Sequence, residues 1–132
     1  MRERDRRGAG ARILPDVTAS ALRTFFNLAE AWKLTEREQM KLLGLWSTST
    51  LYSWKSGRVA GVGRDTVERI SYLLGIFHAI NVLLPDPERA DAWMRAPNAA
   101  PPFGGASALH RMAAGNVGDL YVVRSYLDAQ LP

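Results

Sequence analysis

Two short helices joined by a glycine turn constrain this chain more than anything else in it. Thr35 is followed three residues later by Glu38, a capping box in which hydroxyl and carboxylate each satisfy a backbone N–H left unpaired at a helix start. Met40 and Leu43 fall on one face of the helix that follows, with Leu42 beside them, while Glu36, Arg37 and Lys41 are free to meet water. Gly44 supplies the left-handed residue that ends it. After Leu45 and Trp46, Ser47 is placed to cap a second helix whose Leu51 and Trp54 point inward, and Gly57 closes that helix.

The outward side of the second helix carries Thr48, Ser49, Tyr52, Ser53 and Lys55, with Arg58 just beyond it. Hydroxyls and amines of this kind hydrogen-bond base edges and phosphates, and no Asp or Glu occurs between Glu38 and Asp65 to repel a nucleic-acid backbone. The spacing, Gly44 and the inward Trp54 resemble the helix-turn-helix of the Xre (phage-repressor-like) class, in which a Thr-start helix ends in Leu-Leu-Gly and a Ser/Thr-rich helix carries a tryptophan before a glycine. The resemblance implies that these six side chains face double-stranded DNA. One departure is that the stretch from Gly44 to Gly57 is one residue longer than the commonest spacing of the class.

Charge is distributed unevenly around this unit. The 132 residues carry a net +4, with +3 in residues 1–12, +4 in residues 33–64 and −2 in residues 65–132. A duplex attracts such a basic front through counterion release, leaving a mildly acidic back for something else. The absence of cysteine removes disulfides, thiolate metal sites and thiol catalysis, and suits a reducing cytoplasm. Residues 1–12 mix arginine with glycine and read as a flexible basic arm in which Arg6, Arg7 or Arg12 would reach a minor groove. They do not fit a secretory signal, and no stretch reaches the roughly 18 apolar residues of a membrane span.

A first core helix opens at Pro15 and Asp16 and shows a broad stripe of Val17, Leu22, Phe25, Phe26, Leu28, Ala29 and Trp32. Gly61 and Gly63 read as turn residues, because no strand precedes them to make a phosphate loop. Asp65 with Glu68 then predicts a second capping box and a long helix, Thr66 to Leu84, terminated by Pro85. From Ile70 onward this helix is apolar almost all round, so it is either the buried spine of the fold or a helix shared with a second copy. His78 and Asn81 interrupt it as a hydrogen-bonded core pair or a dimer-register contact, rather than as a metal site. Asp86-Pro87-Glu88 starts a short helix bearing Ala90 and Trp93, Ser107 caps another with Leu109 and Met112, and a last helix near Val117 to Leu127 has Leu120, Val123 and Leu127 inward.

Taken in order, Trp93, Pro97-Asn98, Phe103-Gly104-Gly105, Ser107, Leu109 and Gly115, closed by an amphipathic helix, resemble the toxin-binding domain of the Xre/MbcA/ParS antitoxins, which follows an Xre-like helix-turn-helix. Ala108 stands where that family usually has proline. The expected fold is therefore all-α: a basic arm (1–12), an Xre-like DNA-binding region (13–64), and a helical toxin-binding and oligomerisation region (65–132) around the long central helix. The resemblance implies a non-enzymatic, cytoplasmic antitoxin without cofactor or metal. It would block a RES-domain, NAD-using toxin and repress its own operon, as a homodimer or higher assembly. Tyr121, Arg124, Tyr126, Asp128, Gln130 and Leu131 on the last helix and tail, with Asn98 and Phe103 in the loop, are the expected toxin contacts, tyrosine and arginine being the types that dominate interface energetics. A rival reading is a free-standing helix-turn-helix regulator whose back half senses a small ligand.

Overall fold

A computed structural model describes residues 15–132, with side chains from Thr18 onward. The basic arm, the groove role of Arg6, Arg7 and Arg12, and the Val17 side chain lie outside the described residues. Among those residues there are seven helices and no strand: α1 (Pro15–Ala31), α2 (Glu36–Leu43), α3 (Thr48–Lys55), α4 (Arg64–Leu83), α5 (Pro87–Trp93), α6 (Ala108–Met112) and α7 (Val117–Asp128).

The all-α expectation holds, and the long helix is its centre: α4 packs against α1, α2, α5 and most extensively α7. Its Ile70, Leu73, Ile76, Ala79 and Ile80 are buried, as are Leu22, Phe25, Leu28 and Trp32 of α1 and Leu120, Val123 and Leu127 of α7. Each such side chain removed from water stabilises the fold by roughly 1.5–3 kcal/mol before entropy is counted. One continuous core results.

The ends of the helices are set by the caps the sequence carries. Thr35 accepts the N–H of Glu38 at 3.1 Å while Glu38 Oε1 accepts the N–H of Thr35 at 2.9 Å, completing the capping box. Ser47, Asp86 and Ser107 cap α3, α5 and α6 in the same one-sided way. Gly44 adopts φ 74°, the left-handed conformation that ends α2.

The second capping box does not form. Helix α4 starts two residues earlier, at Arg64, from an extended Gly63 with no side-chain cap, and the Asp65 carboxylate instead accepts Arg69 Nε at 2.8 Å. Asp65 lies inside the first helical turn, on the same face as Arg69 four residues on. His78 and Asn81 do not form a core pair either. His78 is exposed, and Asn81 Nδ2 donates to the Phe77 carbonyl of its own helix at 2.8 Å.

Two arginines join the front of the fold to the back, and a third braces the back half. Arg69, only 8% exposed, spends its guanidinium on Asp65, on the Lys41 carbonyl at the end of α2 (3.2 Å) and on the Gly115 carbonyl between α6 and α7 (3.0 Å). Arg95 donates to the Trp32 and Lys33 carbonyls at the end of α1 and to both carboxylate oxygens of Glu38. Burial would raise the Glu38 carboxyl, but the hydrogen bond and charge of Arg95 together with the Thr35 donors hold it below the ordinary value. Arg111 ties Asp119 of α7 (2.7 Å) to the Pro102 carbonyl (2.8 Å). Terminal carbonyls that no helix can satisfy internally thus become the points at which the elements are locked together.

Candidate functional site

Helix α3 is held by its inward row. Leu51 and Trp54 are buried, and α3 packs on α1. Of the six side chains expected to face DNA, Thr48, Ser49, Tyr52, Lys55 and Arg58 are exposed and Ser53 is half-buried. Gly57, at φ 89°, ends the helix, and the Arg58 N–H returns to the Ser53 carbonyl at 2.9 Å.

Two features of this face are invisible in the α3 sequence alone. The face is not free of carboxylate, as the sequence stretch suggested: Glu36 from the first turn of α2 accepts the Tyr52 hydroxyl at 2.7 and 2.8 Å. That hydrogen bond, with smaller contributions from desolvation and the Glu36 charge, raises the phenol above its ordinary value, so Tyr52 remains a neutral donor. The Lys55 ammonium sits 6.0 Å from the centre of the Phe26 ring, at the outer limit of a cation–π contact, which places it at the rim facing α1.

At the other end of the chain, the residues expected to meet a toxin divide into scaffold and surface. Phe103 is buried between Trp93 and Tyr126, edge to face with both at 6.0 and 5.1 Å. Asn98 Oδ1 accepts the Ala100 N–H at 2.9 Å, while its own backbone pairs with Ala106 and Gly105, so it pins the 97–106 loop closed. Gly104 and Gly105, at φ 58° and 95°, make that closure possible. Tyr121, in contrast, is 57% exposed and stacks edge to face on Tyr72 at 6.0 Å. Arg124 lies across α4 at Gly75, donating to Asp128 (3.1 Å) and to the Ser71 carbonyl (3.4 Å). The tail turns back: the N–H groups of Gln130 and Leu131 bond to the carbonyls of Leu127 and Asp128, and Leu131 packs on the core.

Comparison with known proteins decides what kind of molecule carries these two faces. The family described as "Antitoxin Xre-like helix-turn-helix domain" matches residues 3–75, and the family described as "Antitoxin Xre/MbcA/ParS C-terminal toxin-binding domain" matches residues 78–130. The chain belongs to the Xre/MbcA/ParS antitoxins. This antitoxin is also 47% identical over 109 residues to the uncharacterized protein y4oB of Sinorhizobium fredii (strain NBRC 101917 / NGR234), an overlap covering 83% of this chain and 82% of that protein. The toxin-binding match favours a protein partner for the back half over the rival small-ligand sensor. The two matched regions meet between residues 75 and 78, inside α4, so the helix-turn-helix and toxin-binding regions share one helix. Among the described residues, no helix is long and apolar enough to cross a membrane.

Sequence reading placed Glu36 in water and so missed its bond to Tyr52, and it assigned no role to the three bracing arginines. For Arg69 a signal was present: an arginine directly before the apolar run that begins at Ile70 must find acceptors or stay out of the core.

Proposed function

We propose that this antitoxin neutralises a RES-domain toxin that uses NAD and represses the operon encoding the pair, acting by binding and not by catalysis. Helix α3 reads operator DNA through Thr48, Ser49, Tyr52, Ser53, Lys55 and Arg58. The exposed side of α7, with Tyr121, Arg124 and Asp128, contacts the toxin, and the last residues, Gln130 and Leu131, reach toward its NAD pocket. Asn98, Phe103 and Tyr126 act there by shaping the loop and the helix end. The observation that carries this reading is the division of exposed groups: hydroxyls and cations without a core role gather on α3, and an aromatic–arginine–carboxylate set gathers on α7.

On DNA the antitoxin works as a dimer or higher assembly, since helix-turn-helix proteins gain specificity by pairing half-sites about 34 Å apart. Replacing both Lys55 and Arg58 by alanine is expected to weaken binding to the upstream promoter and flatten its salt dependence by about one unit per lost phosphate contact. An unchanged affinity and salt slope in the double variant would remove both residues from the interface.

The toxin side is tested with a chain ending at Asp128, co-expressed with the toxin beside a promoter reporter. The tail residues Gln130 and Leu131 hydrogen-bond to the end of α7 and Leu131 also packs on the core, so a melting curve of the shortened chain accompanies the assay to show that its fold survives. The shortened antitoxin is expected to repress its promoter and to fail to restore growth. Full neutralisation by the shortened chain would show that the tail plays no part in blocking the toxin.

A further inference from the structure

Tyr52 and Glu36 meet where the first turn of α2 comes alongside α3. Tyr52 is 50% exposed, Glu36 is exposed, and the phenolic hydroxyl lies 2.7 and 2.8 Å from the two carboxylate oxygens. A phenol has a single hydrogen to donate, and here it is committed to Glu36, so the lone pairs left over on the hydroxyl and on the carboxylate are all acceptors. The same bond raises the phenol above its ordinary value, which keeps that hydrogen in place across the neutral range. Thr48 stands one turn before Tyr52 on α3 and lines, together with Glu36, the cleft beside the start of that helix, so the pair adjoins the residues expected to meet the operator.

A pair that only accepts has few partners on a duplex. Phosphates carry acceptors and negative charge, so the pair cannot grip the strand's backbone and is repelled by it. In the major groove guanine shows two acceptors, thymine an acceptor and a methyl group, and adenine an amine beside the N7 acceptor. Cytosine shows the N4 amine with no acceptor of its own next to it, and it is the base edge that a carboxylate matches.

We infer that Glu36 and Tyr52 form a specificity-determining pair that accepts the N4 amine of one cytosine in the operator half-site. Glu36 is the acceptor, and Tyr52 holds its carboxylate in place from the neighbouring helix, 16 positions away in sequence. A glutamate already fixed by that bond loses less side-chain freedom when the duplex docks than one trailing in water. The inference rests on the DNA-binding reading of α3 and adds to it a carboxylate from the preceding helix and the base it selects.

The test compares the full-length antitoxin with Glu36→Gln, Tyr52→Phe and the Lys55→Ala/Arg58→Ala control, on duplexes of the upstream promoter in which each base pair of the footprint is replaced in turn. Both side chains are exposed, so neither single substitution should move the melting temperature by more than about 2 °C. The unaltered chain is expected to lose roughly tenfold in affinity when one particular C·G pair is replaced. Glu36→Gln puts a donor beside an acceptor, so it is expected to exchange that preference for A·T at the same position. It should also bind an unrelated duplex more tightly, because a negative charge has left the face that meets phosphates. Tyr52→Phe keeps the carboxylate but frees it, and should retain the cytosine preference at reduced strength. An unchanged cytosine preference in Glu36→Gln, or an equal loss of affinity for every duplex, would overturn the pair while a weakened Lys55→Ala/Arg58→Ala control leaves the α3 reading standing. If the unaltered chain binds no upstream duplex, the α3 reading and the pair fall together.

Discussion

Replacing Arg69 by alanine should lower the unfolding free energy by about 3 kcal/mol, a drop in melting temperature on the order of 10 °C. The guanidinium is almost fully buried and bonds to Asp65, the Lys41 carbonyl and the Gly115 carbonyl. Asp65 is largely exposed, so the ion pair itself is screened and contributes little. Most of the loss comes from the two partly buried carbonyls, each deprived of a charged donor. Lysine should restore only part, because one ammonium lacks the planar fork that reaches acceptors on three elements. Gly44→Ala should disturb the same place from the other side, since its Cβ would stand 2.7 Å from Arg69 Nε on a backbone at φ 74°. A thermal melt reads both, and a shift below about 2 °C for Arg69→Ala would contradict the clasp.

Phe103→Ala should cost about 3 kcal/mol and separate the two activities. Removing the ring leaves a void between Trp93 and Tyr126 and releases the loop that Asn98 holds closed. The DNA-side contacts of α1, α2 and α3 do not involve this cluster, so promoter binding should persist below the new melting temperature, while toxin capture falls with the loosened loop and displaced Tyr126. Leucine should be intermediate in stability. Unchanged melting in the alanine variant would contradict the burial of Phe103, and equal loss of DNA and toxin binding would contradict the separation.

What sequence reading captured was mostly local. Thr35 with Glu38, Gly44, Ser47, Asp86 and Ser107 act on backbone groups within a turn of themselves, and each does in the structure what its position implies. The inward rows of α3 and α7 were legible for the same reason, because helical spacing alone places Leu51 with Trp54 and Leu120 with Val123 and Leu127. The start of α4 was misread where two local rules competed: Asp65 is both a possible cap and a partner for Arg69 one turn on, and the ion pair won.

Long-range contacts were not legible. Arg69 meets Gly115 across 46 positions, Arg95 meets Glu38 across 57, and the hydroxyl of Tyr52 finds Glu36 on a different helix. Nothing in the spacing of α3 announces that a carboxylate will arrive on its outer face. Phe103, conspicuous in a Pro/Gly loop, looked like a surface aromatic, although the loop closes by burying it.

The back half of this antitoxin holds a toxin, and the most direct measurement of that is co-expression of the full chain with the product of the adjacent gene. Growth should be restored in proportion to antitoxin supply, and the two proteins should co-elute as one complex that has lost NAD consumption or ADP-ribosyl transfer. Continued growth arrest at excess antitoxin, with the two proteins eluting apart, would contradict it.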